Sequence, residues 1–268
     1  MNATTLRERA TFAGALARSG GALAQRYFSG ELAFAIESKG ERQDWVSAAD
    51  HAVESYVRDA IAERFPDDSM LGEEAGGALS DQLWVVDPID GTLNFVHGMR
   101  YWCVSIAYIE RGVRRIGAIY DPSLDELFLA AAGDGARCND APIHVSACSS
   151  LDDALISQGY VHRHDLDGHL ALRRAFLSAG AAVKDPGAGA LMLAHVAAGR
   201  FDAFYEPHMH PWDASAGLLL IEEAGGRIAP YPGPKGLAAG GEVLAAASGI
   251  YDRIEERVRA SRRTPDPR

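Results

Sequence analysis

The hydrophobic pattern changes period several times along the chain. Between residues 4 and 28, Leu6, Ala10, Ala13, Leu16 and Ala17 recur at helical spacing in an alanine-rich stretch, which predicts an amphipathic first helix. Gly20 and Gly21 are expected to weaken or bend it. Residues 29–43 are polar and read as a mobile hairpin or loop containing Lys39. A second helix is predicted from Asp50, where Val53, Tyr56, Val57, Ala60 and Ile61 follow at i, i+3, i+4 spacing and Pro66 lies beyond the end. Asp50 itself reads as an N-cap or as something more. Met70-Leu71-Gly72 reads as a short strand ending in two acids, Glu73 and Glu74. Trp84-Val85-Val86 reads as the end of a buried strand, and Pro88, with no N–H for a ladder, should stop it.

The run from Trp102 to Ile109 is apolar except for Ser105, as in a strand buried on both faces. Glu110-Arg111-Gly112 turns the chain, Val113 to Tyr120 returns it, Asp121-Pro122 breaks it, and Glu126 to Ala131 forms a third strand before Gly133-Asp134-Gly135. Sequential strands with tight turns predict antiparallel pairing, so the first half is a helix pair on an antiparallel sheet. Beyond about Ser146 the texture changes. Strands are predicted at 154–158, 181–184 and 243–248, and helices at 170–177, 191–198, 214–224 and 249–259. That alternation predicts a second, α/β subdomain, so residues 1–145 form an α+β unit and 146–268 a smaller α/β unit.

Composition narrows the function classes. The 268 residues are long enough for one large domain or two closely joined ones, and their 47% hydrophobic content is that of a globular chain. No apolar run reaches the roughly 18 residues a membrane span needs. Arg7, Glu8 and Arg9 interrupt the N-terminus early, where a signal peptide would need a long apolar stretch. A net charge of −11 speaks against a general nucleic-acid binder. Cys103, Cys138 and Cys148 are odd in number and widely spaced, so they read as reduced thiols of a cytoplasmic chain.

Candidate chemistry centres on Asp87-Pro88-Ile89-Asp90-Gly91-Thr92. Two carboxylates three residues apart sit on a sharp turn at a strand's end, with the Ile89 carbonyl between them. Mg2+ takes an octahedron of such oxygens. Gly91 permits close backbone approach, and the N–H groups of Gly91 and Thr92 would face an anion if a helix starts there. In isolation such a pair more often caps its own turn. Partner motifs elsewhere reverse that preference.

The stretch from Asp87 to Phe95 resembles the signature of the inositol monophosphatase family of Mg2+-dependent, lithium-sensitive phosphatases. Pro211-Trp212-Asp213-Ala214-Ser215-Ala216-Gly217 resembles the family's second signature, and Gly72-Glu73-Glu74 lies upstream in the expected order. Asp44 to Asp50 resembles its D-x-V-T-x-x-D, with Ser47 in place of Thr. The resemblance runs from about Thr5 to about Glu256. It implies a layered αβαβα sugar-phosphatase-like fold, a homodimer, and two or three Mg2+ ions held by Glu73, Asp87, the Ile89 carbonyl, Asp90 and Asp213. It implies that Thr92, backed by Asp50, orients and deprotonates the attacking water, with Glu73 and Asp90 in the catalytic set. Gly91 and Thr92 would bind phosphate, and Gly189 and Glu206 the substrate. The implied substrate is a small phosphorylated polyol, foremost myo-inositol phosphate.

The chain departs from the family at three further positions. Arg100 stands where proline is frequent, Ala188 lacks the usual hydroxyl, and Gly189 replaces an alanine whose backbone faces substrate. Histidinol phosphate, fructose-1,6-bisphosphate and 3′-phosphoadenosine nucleotides are rival substrates that share the metal core. Lys39 lies in a loop that approaches the metals in the family, and His208 and His210 lie near enough to Asp213 to line a pocket. His162 to His169 reads as a polar surface loop in preference to a transition-metal site. A rival of another class is a regulatory binding protein of the transcription machinery.

Overall fold

The computed structural model describes residues 3–33, 36–38, 45–160, 165–233 and 235–261. Helix α1 spans Ala3–Phe28, and a ribbon of β1 (Ile36–Ser38) and β2 (Trp45–Ser47) leads to α2, Ala48–Arg64. Lys39 and Asp44 lie outside the described residues. Strands β3 (Ser69–Gly72) and β4 (Gln82–Asp90) precede the short helix α3, Thr92–Val96. A meander follows: β5 (Cys103–Glu110), β6 (Val113–Asp121), β7 (Glu126–Ala131), β8 (Ala136–Cys138) and β9 (Ala141–Pro142). Next come β10 (Leu155–Gln158), α4 (Leu166–Ser178), β11 (Ala182–Lys184) and α5 (Gly189–Ala197). The chain continues through β12 (Ala203–Met209), α6 (Pro211–Glu223), β13 (Arg227–Ile228), β14 (Gly241–Ala246) and α7 (Tyr251–Ser261).

Among the described residues, β3 to β9 form a seven-stranded sheet in sequence order, and β11-β10-β12-β14-β13 form a five-stranded one. Helices α1 and α2 pack on one face of the larger sheet, and α5 and α6 on the other. The same α5 and α6 contact β12, β13 and β14, while α4 and α7 pair on the far side of the smaller sheet. The layers therefore run α-β-α-β-α. The buried core joins Val85, Ala107 and Phe128 of the first sheet to Leu191, Leu193, Leu218 and Leu220 of the middle helices and to Phe204 and Ala245 of the second. Among the described residues no helix is long and apolar enough to cross a membrane.

Several local expectations change. The larger sheet is antiparallel except at its edge, where β3 pairs parallel to β4, because residues 73–81 return the chain to the end from which β3 began. Helix α1 continues through Gly20 and Gly21. A Cβ at Gly21 would lie 2.5 Å from the Tyr120 ring, so the glycine admits close contact with β6, and packing outweighs intrinsic propensity. Strand β4 does not stop at Pro88 but reaches Asp90 through a register shift. Asp165 accepts the Asp167 N–H and caps α4, so His169 is helical and not in a loop; residues 161–164 lie outside the described set. Strand β12 was not anticipated.

A buried polar cluster ties α1 to the sheet. Arg9 is 8% exposed, forms an ion pair with Asp68, and lays its guanidinium 4.0 Å from the Phe65 ring centre and 4.6 Å from that of Tyr108. Trp84 Nε1 donates to the same Asp68 at 2.8 Å. The cation thus replaces its lost water with a carboxylate and ring faces.

His195 near the end of α5 is 7% exposed and sits between the Tyr101 hydroxyl, 3.2 Å from Nδ1, and Arg200, 3.1 Å from Nε2. An arginine can only donate, so Nε2 accepts and Nδ1 carries the hydrogen. Burial, then the Arg200 charge, push the imidazole pKa down from 6.5 to about 4. The folded protein keeps His195 neutral at pH values where the unfolded chain protonates it. Its contribution to stability is complete above pH 6.5 and is lost as pH falls toward 4. At about 1.4 kcal/mol per pH unit, the advantage of wild type over His195→Gln in urea unfolding should shrink by about 2–3 kcal/mol between pH 7.5 and 4.5. An unchanged difference across that range would contradict the assignment.

Candidate active site

The site is built on the irregular end of β4. Asp87 pairs with Ser105 and Asp90 with Cys103, so β4 carries one more residue than β5 across this step. Pro88 sits within the irregularity, where its missing N–H costs no ladder bond. Asp87 Oδ1 accepts the N–H of Ile89 at 2.9 Å. Gly91 then takes a left-handed conformation with φ 88°, and a Cβ there would lie 3.0 Å from the Tyr101 carbonyl, so glycine is required for the turn.

Two other segments are brought to this turn by their own backbone. The Glu73 N–H donates to Val86 O at 3.2 Å, which continues the β3–β4 ladder and sets Glu73 beside Asp87. On α6, Pro211 occupies the first turn, where no N–H is needed, and Asp213 Oδ2 accepts the N–H of His210 at 3.0 Å. Ser105, the polar insert of β5, donates to the Trp212 carbonyl at 3.0 Å and pins the start of α6 to the sheet. As a result, carboxylate oxygens of Glu73, Asp87 and Asp213 lie within 4.8 Å of one another.

Burial, then the charges of Glu73, Asp90, Asp213 and Asp50, push the Asp87 carboxyl well above its ordinary range. Burial, followed by Glu73 and Asp90, does the same to Asp213. The pocket over these acids is about 160 Å3, and among the described residues no lysine or arginine lines it. An all-oxygen donor set of clustered carboxylates fits a hard divalent cation.

The remaining predicted residues take distinct places. Asp50 is not the cap of α2, which begins at Ala48; it is fully buried in the first turn, where its Oδ1 faces the Thr92 hydroxyl at 3.3 Å. The same hydroxyl lies 3.0 Å from the Ile89 carbonyl. Asp90 lies next to the three-acid cluster but spends both oxygens on another helix, accepting the N–H of Gly189 at 3.0 Å and of Leu191 at 3.2 Å. Ala188 at the N-cap of α5 has no side chain to cap with, so Asp90 from β4 takes that role. Burial raises the Asp90 pKa to about 6 although these N–H groups oppose the shift. Gly189 and Glu206 line the pocket together with Ile89, Gly91 and Thr92. Burial, then Asp213, Asp185 and Asp90, push the Glu206 carboxyl well up. Glu74 is outside the lining set, and Arg100 is exposed.

His208 and His210 do not line the pocket. His208 Nε2 lies 2.8 Å from the Ala239 carbonyl, and His210 stacks on Trp212 with ring centres 4.7 Å apart. The residue between them, Met209, lines the pocket instead, because β12 is irregular between Glu206 and Met209. Met209 was missed, and only the recognition of β12 as a strand could have exposed it. Asn94 was missed as well; its amide donates to Tyr101 O and to Pro186 O, each at 2.8 Å, and so joins the β4 turn to the entry of α5. Gly159 gives no signal in sequence, yet a Cβ there would fall 2.1 Å from Glu206 Oε2.

Comparison with known proteins agrees with the fold. Residues 5–264 match the inositol monophosphatase family. Over 238 residues the chain is 36% identical to the Nus factor SuhB of Pseudomonas aeruginosa, covering 85% of this chain and 88% of that one. It is 34% identical over 220 residues to the fructose-1,6-bisphosphatase/inositol-1-monophosphatase of Thermotoga maritima, covering 82% and 84%. The solved inositol monophosphatase of Anabaena (Nostoc) superposes with a TM-score of 0.83 at 36% identity, over 96% of this chain and 97% of that one. A match across nearly the whole chain, a shared fold and ordered acidic motifs place this chain in the inositol monophosphatase family.

Proposed function

We propose that the chain is a Mg2+-dependent phosphate-monoester hydrolase for small phosphorylated polyols, with myo-inositol 1-phosphate its leading substrate. The observation that carries this reading is the meeting of Glu73, Asp87 and Asp213 oxygens within 4.8 Å beside a hydroxyl that faces a buried acid. The residues assigned to hold Mg2+ are Glu73, Asp87, the Ile89 carbonyl, Asp90 and Asp213. Asp90 has lone pairs beyond the two bonds it accepts from α5. A bound Mg2+ supplies Lewis-acid chemistry, polarising phosphoryl oxygens and offsetting charge on the leaving oxygen.

The chain's own groups do the rest. The Thr92 hydroxyl has one proton and two acceptors within reach, Asp50 and Ile89 O. When that proton goes to Asp50, a lone pair on Oγ1 is left to accept from water and to hold it in line with phosphorus. Asp50 thereby draws the water's proton toward itself through Thr92. The N–H groups of Gly91 and Thr92 hold phosphoryl oxygens. Glu206, its protonated form favoured by burial, can donate to one polyol oxygen while accepting from a second hydroxyl. An ammonium-bearing ester such as histidinol phosphate would need Glu206 charged instead.

A second reading, an accessory role in transcription, is favoured by the 36% identity to a Nus factor. The test is phosphate release from myo-inositol 1-phosphate, histidinol phosphate, fructose-1,6-bisphosphate and 3′-phosphoadenosine-5′-phosphate, with Mg2+, with EDTA and with Li+. Release led by the inositol ester, abolished by EDTA and reduced by Li+, is expected. Silence across the panel would sink hydrolysis and favour the accessory role.

Two variants sharpen the reading. Asp213→Asn keeps an oxygen for the His210 N–H but removes one of the mutually repelling charges. Turnover should fall by about two to three orders of magnitude, while the metal-free protein unfolds no earlier than wild type and gains nothing from Mg2+. Retained turnover would refute the assignment. In Gly189→Ala the new methyl would lie 2.6 Å from Met209 Cε and 3.9 Å from Glu206 Oε2, so it displaces Met209 into the substrate space. KM for the polyol ester should rise several-fold with kcat little changed; an unaltered KM would remove Gly189 from the substrate wall.

A further inference from the structure

Glu54 on α2 is 2% exposed, one helical turn beyond Asp50, and it lies outside the pocket. Its carboxylate accepts three hydrogen bonds. Oε2 takes the N–H of Glu74 at 2.7 Å, and Oε1 takes the N–H of Ala75 at 3.0 Å and Arg58 Nη2 at 2.7 Å. Arg58 Nη2 donates in addition to the Gly76 carbonyl at 3.0 Å. The Glu54 carboxylate rests on the backbone of Gly72, where a Cβ would fall 2.4 Å from its carboxyl carbon. The turn after β3 is therefore fastened to α2 on both sides of Glu73.

This fastening acts on one torsion in particular. The N–H of Glu74 belongs to the peptide unit that follows Glu73, so the direction of that N–H is set by ψ of Glu73. The N–H of Glu73 is itself held by Val86 O at 3.2 Å. With the units before and after it both fixed, the Glu73 side chain leaves the backbone in one direction, toward Asp87 and Asp213. Arg58 pairs with Glu54 locally, so this acid serves the turn and stays apart from the three-acid cluster.

We propose that Glu54 is the positioning residue for Glu73, and that the Mg2+ affinity of the site depends on this carboxylate although it touches no ion. The inference rests on the reading of Glu73, Asp87 and Asp213 as a metal centre. Outer groups that orient metal ligands typically cost ten- to a hundredfold in affinity when altered. Glu54→Gln is nearly isosteric but offers one oxygen where two amide N–H groups need acceptors. Gly72→Ala displaces the same carboxylate without altering its charge.

The experiment is the rise of the unfolding midpoint with Mg2+ concentration, which yields an apparent Kd by mass action without reference to turnover. Amide hydrogen exchange at Glu74 and Ala75 is followed in the metal-free proteins. Both variants should show faster exchange at these two amides and an apparent Kd for Mg2+ raised about ten- to a hundredfold. In turnover assays the Mg2+ concentration for half-maximal rate should rise in step, while the rate at saturating Mg2+ recovers toward wild type. A purely structural role would lower the metal-free midpoint and leave the Kd alone, and that result overturns the proposal. If wild type itself gains nothing from Mg2+, the metal reading falls and takes this inference with it. If wild type responds and both variants respond equally, this inference alone is wrong.

Discussion

Like charges held close together in a buried pocket repel strongly, because little water remains to screen them. The site depends on withstanding that repulsion. Oxygens of Glu73, Asp87 and Asp213 lie within 4.8 Å of one another, with Asp90 beside them. The chain does not relieve the repulsion with lysine or arginine in the pocket, among the described residues. It holds the acids through main-chain N–H groups instead: Ile89 for Asp87, His210 for Asp213, and Gly189 with Leu191 for Asp90. Such bonds fix position while leaving the net charge in place. The acids are thereby held in place before any ion arrives.

The same logic explains why elements distant in sequence must meet. Helix α2 presents Asp50 to Thr92 and, one turn later, Glu54 to the turn that bears Glu73, so a single rigid helix sets two parts of the site. Asp90 couples the irregular end of β4 to the first turn of α5, which Ala188 cannot cap. Asn94 closes the same junction through Tyr101 O and Pro186 O. Gly189, which lines the pocket, is thus held by the acid turn itself.

Much of this was legible in the sequence. The turn at Asp87 and Asp90 drew attention by itself, Glu73 and Asp213 were singled out by the family resemblance, and the meander from β5 to β7 followed from its runs and turns. What escaped depended on contacts between distant residues. Strand β12 was hidden by Pro207 and His208, which lie in the irregular part of its pairing with β14. Gly20 and Gly21 looked like weak points of the helix because what they pack against, Val53 and Val57 for Gly20 and the Tyr120 ring for Gly21, lies on other elements. Asp90 looked like a plain metal ligand, since its bonds to Gly189 and Leu191 span about a hundred residues. Nothing local distinguishes Glu54 from the other polar residues of its helix, so the sequence alone did not single it out.

The middle layer of α5 and α6 has a consequence for how the molecule comes into being on the ribosome. These helices cover one face of the larger sheet, yet they are encoded well after its last strand, Ala141–Pro142. While residues 143–223 are being synthesised, that face, with Val85, Ala107 and Phe128 on it, has no cover of its own. Nascent sheets in that condition are vulnerable to off-pathway association. Asp213 arrives with the helix that ends the exposure. The acid cluster is therefore completed by the same folding step that buries the apolar face, and an emerging chain bears its full concentration of negative charge only once it has a core to hold it.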